Sequence, residues 1–384
     1  MKHILRKILT FFQKETVLSI SAILAILSMF IVHPSGKYFS YIDFRTLSLL
    51  FCLMSIVAGL SEIGLFDYLA EKILSRANSI KSIIVLLVLL CFFFSMIITN
   101  DVALITFVPL GIIILKKMSE KQKNYWILRT VVMQTIAANL GSMLTPIGNP
   151  QNLYLYARAN MSALALIRLM LPYSIAALVL LLVWIQIAAH REPGSTTENH
   201  ISELFSIHKP KAPNQTSLIG YLILFLICLL VVAHIIDYRI SFILVIGYIF
   251  FKNWHLFKKV DYSLLLTFTA LFIFIGNLKC IPQFNHFLIS IIDGHETLTA
   301  ILSSQIISNV PAAILLSGFT KNYSALIIGT NIGGLGTLIA SMASLISFKY
   351  IAKEKTTLRG KYFMMFTIAN IVFLILLLLC INLL

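Results

Sequence analysis

"NLGSMLTPIGNPQN", residues 139–152, interrupts a chain that otherwise reads as nearly continuous hydrocarbon. Thr145, Pro146, Gly148, Asn149, Pro150, Gln151 and Asn152 each break or wet a helix, and side by side they cannot face lipid. Around them, 384 residues with 59% hydrophobic content and a mean hydropathy of +0.93 exclude an ordinary soluble protein. Apolar runs recur from end to end, and a crossing needs about 20 residues. The longest polar stretch, Arg191 to Ser217, is too short for a core of its own. The opening segment MKHILRKILTFFQKET has a short apolar run cut by Gln13, Lys14 and Glu15, with no small-residue cleavage site after it, and reads as a retained basic N-terminus.

Spans are expected at about 16–33, 44–61, 130–158, 164–189, 217–236, 239–251, 262–279, 323–348 and 362–384. Two further apolar stretches, 82–115 and 298–318, carry a polar break at their centres. Read as re-entrant hairpins, they bring the N-terminus and the basic loops at 72–81, 116–129, 191–211, 252–259 and 349–361 to one face, which is then cytoplasmic. That accounts for the net charge of +15 without invoking nucleic acid. Cys52, Cys91, Cys228, Cys280 and Cys380 are scattered singly and read as packing residues.

The two halves repeat. "IDFRTLSLLFCLMSIVAGLSEIGLFDYLAEKI" aligns with "VDYSLLLTFTALFIFIGNLKCIPQFNHFLISI", matching Asp43 with Asp261 and Phe66 with Phe284, and Asn100 then corresponds to Asn309. "ANLGSMLTPIGNPQN" (138–152) aligns with "TNIGGLGTLIASMAS" (330–344), pairing Asn139 with Asn331, Gly141 with Gly333 and Thr145 with Thr337. By the charge pattern Asp43 begins its span outside and Asp261 inside, so the repeats are inverted, as in secondary transporters. The expected fold is an all-α polytopic membrane protein of about 9–11 transmembrane helices with two re-entrant hairpins and two broken helices. Residues 1–190 form the first repeat, 191–216 a cytoplasmic linker and 217–384 the second repeat. The location that follows is the cytoplasmic (inner) membrane, multi-pass, with the N-terminus in the cytoplasm.

Four breaks, two per repeat, fall at Thr99-Asn100-Asp101, Gly148-Asn149-Pro150, Ser308-Asn309-Val310-Pro311 and the glycine-rich 329–337. Asn100 or Asp101, Asn149 before Pro150, and Asn309 ahead of Pro311 suit helix N-caps. Half-helix N-termini attract an anion, and freed carbonyls with Asn, Ser and Thr oxygens suit a small cation. A single break is more often a kink, and Gly329 with Gly333 also fits a packing motif. Four symmetry-paired breaks rich in Asn read as one binding site. Its candidate substrate and ion ligands are Thr99, Asn100, Asp101, Asn139, Thr145, Gly148, Asn149, Gln151, Asn152, Ser308, Asn309, Asn331, Gly333, Thr337 and Ser341. Asp101, an intramembrane carboxylate, reads either as a functional charge or as a cap held by neighbouring N–H groups. Glu62 and Asp67 are expected at the interface, and His234, Asp237 and Arg239 at an outer turn.

"TNDVALITFVPL", "NLGSMLTPIGNPQN", "SNVPAAILL" and "TNIGGLGTLIASMASL" resemble the ion transporter superfamily, which includes arsenite permeases, sodium/proton antiporters, and citrate and dicarboxylate carriers. The resemblance covers nearly the whole chain and specifies no substrate. It implies an elevator-like mechanism and a homodimer. In the dicarboxylate carriers a Ser-Asn-Thr triplet at each hairpin tip helps bind sodium and the substrate carboxylate, which points here to Thr99 and Asn100 and to Ser308 and Asn309. The chain departs at both third positions. Asp101 resembles the Asn-Asp tip of the arsenite and antiporter branches, and Val310 removes a hydroxyl that a second sodium site would use. A sodium ion is expected at Asn100, Asp101, Gly148 and Asn149.

The function expected is secondary active transport of a small anion, a carboxylate or oxyanion, coupled to sodium or protons, with a cation/proton antiporter using Asp101 as the alternative. The breaks contain no Lys or Arg, so an anion must be held by dipoles, amides and co-bound cations. The partners expected are a small-molecule or ion substrate and the lipid bilayer, and no cofactor beyond the coupling ion. An enzyme is not expected. There is no His-Glu-x-x-His, no paired aspartate on a membrane helix and no nucleotide-binding loop.

Overall fold

The computed structural model describes residues 15–192, 212–354 and 358–383. The basic N-terminus, most of the 191–211 linker and part of the 349–361 loop lie outside these residues. Within them every regular element is a helix. After α1 (Thr16–Met29) and a short α2 (Tyr38–Tyr41) come α3 (Phe44–Glu62), the amphipathic α4 (Leu65–Leu74), the pair α5 (Ile80–Ile98) and α6 (Asn100–Lys116), the pair α7 (Glu120–Ser142) and α8 (Pro150–Ala159), and α9 (Ala163–His190). Past α10 (Gln215–Val232) and α11 (Tyr238–Asn253), the order recurs. It runs α12 (Tyr262–Lys279), α13 (Pro282–Ile292), α14 (Glu296–Ile307) with α15 (Asn309–Leu316), α16 (Tyr323–Ile332) with α17 (Met342–Glu354), and α18 (Leu358–Leu383).

Among the described residues seven helical stretches are long and apolar enough to cross a membrane: Phe44–Glu62, Ile80–Ile98, Ala163–His190, Gln215–Val232, Tyr238–Lys259, Tyr262–Lys279 and Leu358–Ile381. With the broken elements they make an all-α polytopic membrane protein. The segments 130–158 and 323–348, expected as broken helices, are each two helices. Seven-residue and nine-residue non-helical stretches (143–149 and 333–341) divide them.

The repeat is visible in backbone detail. Asp43 caps α3 by accepting the Thr46 N–H at 3.0 Å, and Asp261 caps α12 by accepting that of Leu264 at 2.9 Å, in nearly the same conformation (φ −84°, ψ 85° and φ −78°, ψ 84°). Glu62, the last residue of α3, pairs with Lys259, two positions before Asp261, at 2.7 Å. The end of one helix therefore shares a membrane face with the start of its match, and the two run in opposite senses.

Two packed groups result. In one, α1 lies along α12, and α3 packs on α10 and α11. Asn277 of α12, fully buried, ties these elements by donating to Ser28 and Tyr38, both at 2.9 Å. In the other, α5 and α6 pack on α7, α14 and α15 on α16, and α15 and α16 on α8, while α17 bridges to α6 and α7. Pro109 inside α6 cannot donate to the Ile105 carbonyl, and the Tyr350 hydroxyl of α17 reaches that oxygen at 3.4 Å. Lys116, at the end of α6, pairs with Glu354, at the end of α17, at 2.5 Å.

Candidate functional site

Each hairpin turns on one residue held where side-chain-bearing residues rarely go. Thr99 has φ 76° and ψ 153°, and Ser308 has φ 74° and ψ 154°. That region is essentially restricted to glycine and costs about 1–3 kcal/mol for other residues. The caps therefore fall one position earlier than expected: Thr99 and Ser308 occupy the cap positions, without side-chain cap bonds. Asn100 and Asn309 are the first helical residues, and each folds its Oδ1 onto the next N–H, of Asp101 and of Val310, at 2.9 Å. Asn149 is a cap as expected, accepting the Asn152 N–H at 2.9 Å with Pro150 at the first helical position.

The tips then meet the broken elements in matched fashion. The Asn100 N–H donates to the Gly148 carbonyl at 3.1 Å, and the Asn309 N–H donates to that of Ala340 at 2.9 Å. Thr145 donates to the Met96 carbonyl at 2.5 Å, and Thr337 to that of Gln305 at 3.2 Å, four residues before each tip asparagine. Thr337 is exposed, so both threonines act as clips between break and hairpin. Gly141 and Gly333 give the same close approach. A Cβ on Gly141 would overlap the Phe92 carbonyl, and one on Gly333 would lie 2.9 Å from the Ile301 Cα.

The side chains of the two broken elements cross-link. Asn139 Oδ1 accepts from Asn100 Nδ2 at 3.2 Å and from Ser341 Oγ at 3.0 Å, while its Nδ2 donates to Ser344 Oγ at 3.4 Å. Asn331 does the converse. Its Oδ1 accepts from Asn149 Nδ2 at 2.9 Å, and its Nδ2 donates to Asn152 Oδ1 at 2.6 Å. The asparagine just ahead of each break thus reaches the positions ten and thirteen residues beyond its counterpart in the other repeat. An asparagine can do this because one end accepts while the other donates. All of these groups are buried, and in a low-dielectric interior satisfied amides fix one arrangement. Thr135 adds a further tie by donating to Ser347 at 2.7 Å.

Asn100, Asn139, Gly148, Asn149, Asn152, Asn331 and Ser341 therefore form one linked cluster, while Ser308 and Asn309 sit at the second tip against Ala340. Two polar atoms stay open. Asp101 Oδ1 and Gln151 Oε1 are buried and have no hydrogen-bond partner. No N–H group reaches that Asp101 oxygen, so it does not serve as a cap. Among the described residues no three His, Cys, Asp or Glu side chains gather as a metal site. Of the remaining residues singled out in the sequence, Glu62 lies in its interfacial ion pair, and Asp237 caps α11 at the turn after α10. Ser142, Ser344 and Gln305 belong to the network and were not singled out. Ser142 accepts from Asn149 at 3.2 Å, and Gln305 Nε2 donates to the Gly333 and Leu335 carbonyls at 2.8 and 2.9 Å. The +10 and +13 spacing from each asparagine was the available signal for Ser344.

A family model described as citrate transporter matches residues 8–325. The chain belongs to the citrate transporter family. Within reach of this family are an uncharacterized transporter of Methanocaldococcus jannaschii, 35% identical over 86% of this chain and 87% of its own, and the inner membrane protein YbiR of Escherichia coli, 32% identical over 84% of each. The human P protein is 30% identical over 128 residues, 33% of this chain and 15% of its own. The chain is thus a multi-pass membrane transporter of the citrate transporter family, and the two breaks and two hairpin tips are its polar centre.

Proposed function

We propose that this chain is a secondary active transporter that moves a small anion, a carboxylate or an oxyanion, across the cytoplasmic membrane with sodium or protons. The observation that carries the reading is the cross-linked asparagine cluster, which joins the first hairpin tip to both broken elements in a protein interior without a Lys or Arg, while the second tip is seated on the Ala340 carbonyl beside Ser341. An anion there is held by amides and by the N-terminus of α8, and its charge calls for a co-bound cation. The unpartnered Asp101 carboxylate oxygen, on the residue after the Asn100 whose N–H meets the Gly148 carbonyl, supports a sodium or proton at that tip. The matched, oppositely directed halves support two inverted repeats. The division into an α1–α3 and α10–α12 group and a group holding the hairpins supports an elevator-like movement of the second against the first, in a homodimer. The basic loops support a cytoplasmic N-terminus.

The same Asp101 oxygen favours one second reading, a cation/proton antiporter with Asp101 as the exchanging group. Asp101→Asn separates the two from a structural role, because it keeps the shape and removes the charge. The variant should fold normally, lose gradient-driven uptake and lose the parent's dependence on sodium or pH. Transport with unchanged ion dependence would make Asp101 a structural residue and remove the basis of both coupling schemes.

A further inference from the structure

On the face where α8, α12 and α15 end, a cavity of about 580 Å³ lies between α13 and the turn that joins α15 to α16. Arg158 from the last turn of α8, Lys279 from the end of α12 and Lys321 from that turn line it together, with Asp293 as the one acidic lining residue. All three cations are exposed, and among the described residues none makes an ion pair or hydrogen bond through its charged group. A single base at a helix C-terminus is ordinary dipole compensation. Three from separate elements, converging on one concave space with one carboxylate between them, leave an excess of positive charge that focuses a field into the cavity.

The cavity also lies a short way from the polar centre. Its floor contains Ser317, which follows α15 and bonds the Tyr154 hydroxyl of α8 at 2.8 Å. α15 has 8 residues and begins at Asn309; α8 has 10 and begins after Asn149. At 1.5 Å per residue these helices span only about 12–15 Å between the cavity and the asparagine cluster. On the opposite side α6 and α7 have 17 and 23 residues, about 25–35 Å of helix.

We propose that this cavity is a vestibular anion-binding site, in which Arg158, Lys279 and Lys321 hold a small polycarboxylate or phosphate-like anion from solution before it reaches the asparagine cluster. The inference rests on the anion-transport reading, and it adds a second, electrostatic site outside the membrane centre. Thr320 at the rim is occupied by Glu296, to which it donates at 3.2 Å, so the three cations supply the binding.

The test uses Asn285→Cys, a half-buried lining position, in the full chain carrying Cys280→Ser, reconstituted in phosphatidylcholine vesicles. The rates of modification by 2-sulfonatoethyl and 2-(trimethylammonio)ethyl methanethiosulfonate are read by mass spectrometry. At low ionic strength the anionic reagent should be favoured by about ten-fold, and that preference should collapse in added salt. Millimolar citrate or inorganic phosphate should slow the reaction. Arg158→Gln with Lys279→Gln should abolish both effects, and Arg158→Lys with Lys279→Arg should restore them, which separates charge from folding. Absence of anion preference, or of protection by both probes, would overturn the site. Slowing that occurs only when phosphatidylglycerol is added would assign the cavity to a lipid headgroup and overturn capture from solution. Protection must survive Asn100→Ala; its loss there would place the anion at the deep cluster instead. Protection in a protein that moves no anion in vesicles would leave the vestibular site standing and fail the transport reading.

Discussion

Replacing Asn331 by alanine probes how firmly the two broken elements are held to each other. The substitution removes two bonds to the first repeat, from Asn149 Nδ2 at 2.9 Å and to Asn152 Oδ1 at 2.6 Å, and one to the Ile327 carbonyl at 2.7 Å. Asn149 keeps Ser142 as an acceptor, but Asn152 Oδ1 has no other donor among the described residues and is fully buried. A net loss of about 1 kcal/mol for each of the three bonds, with about 1–3 kcal/mol for the orphaned oxygen, puts the cost at about 4–6 kcal/mol. Asn152→Ala also frees the Met143 and Thr145 carbonyls, so its own cost is similar. In the double variant the orphan created by the first change no longer exists. The pair should therefore be less damaging than the sum of the singles by about 1–2 kcal/mol. Reversible unfolding in detergent, followed by tryptophan fluorescence and circular dichroism, measures all four corners of the cycle. Strict additivity, with coupling below about 0.5 kcal/mol, would refute the claim that these amides lock the two halves together.

Asn100→Ala and Asn309→Ala should each abolish transport while leaving folded protein abundant, because they sit at the paired tips; wild-type flux in either would make that tip structural. Thr99→Gly and Ser308→Gly should each stabilise the protein by about 1 kcal/mol, the relief of about 1–3 kcal/mol of backbone strain set against glycine's entropic cost of about 0.5–1. Melting temperatures in detergent check this, and a drop on either change would show that the lost side chain holds its tip.

Much of the architecture was written locally. Asn-Pro at 149–150 and the glycines at 329–336 mark the breaks because those residue types act on their own backbone, and the repeat was legible because Asp43 and Asp261 perform the same cap. The tips were placed a residue off because nothing about Thr99 or Ser308 advertises a positive φ; only the fit of Asn100 and Asn309 against the Gly148 and Ala340 carbonyls imposes it. The pairing of Asn139 with Ser341 and Ser344, and of Asn331 with Asn149 and Asn152, joins residues about 180–205 positions apart, so it depends on the packing of whole helices. The gathering of Arg158, Lys279 and Lys321 is of the same kind, since each by itself looks like a helix-end base. Asp101 was the sharpest candidate in the sequence, and the structure leaves one of its oxygens without a partner.

The most direct test of anion transport is uptake by the purified chain in proteoliposomes. Citrate, succinate, phosphate and arsenite are offered in turn under an imposed sodium gradient and then under an imposed proton gradient. The account predicts accumulation of at least one anion above equilibrium under one of the two gradients, abolished by Asn100→Ala and by collapse of that gradient. Uptake of every anion that stops at equilibrium whichever gradient is imposed would contradict it, as would a gradient-driven proton or sodium exchange with no anion moved.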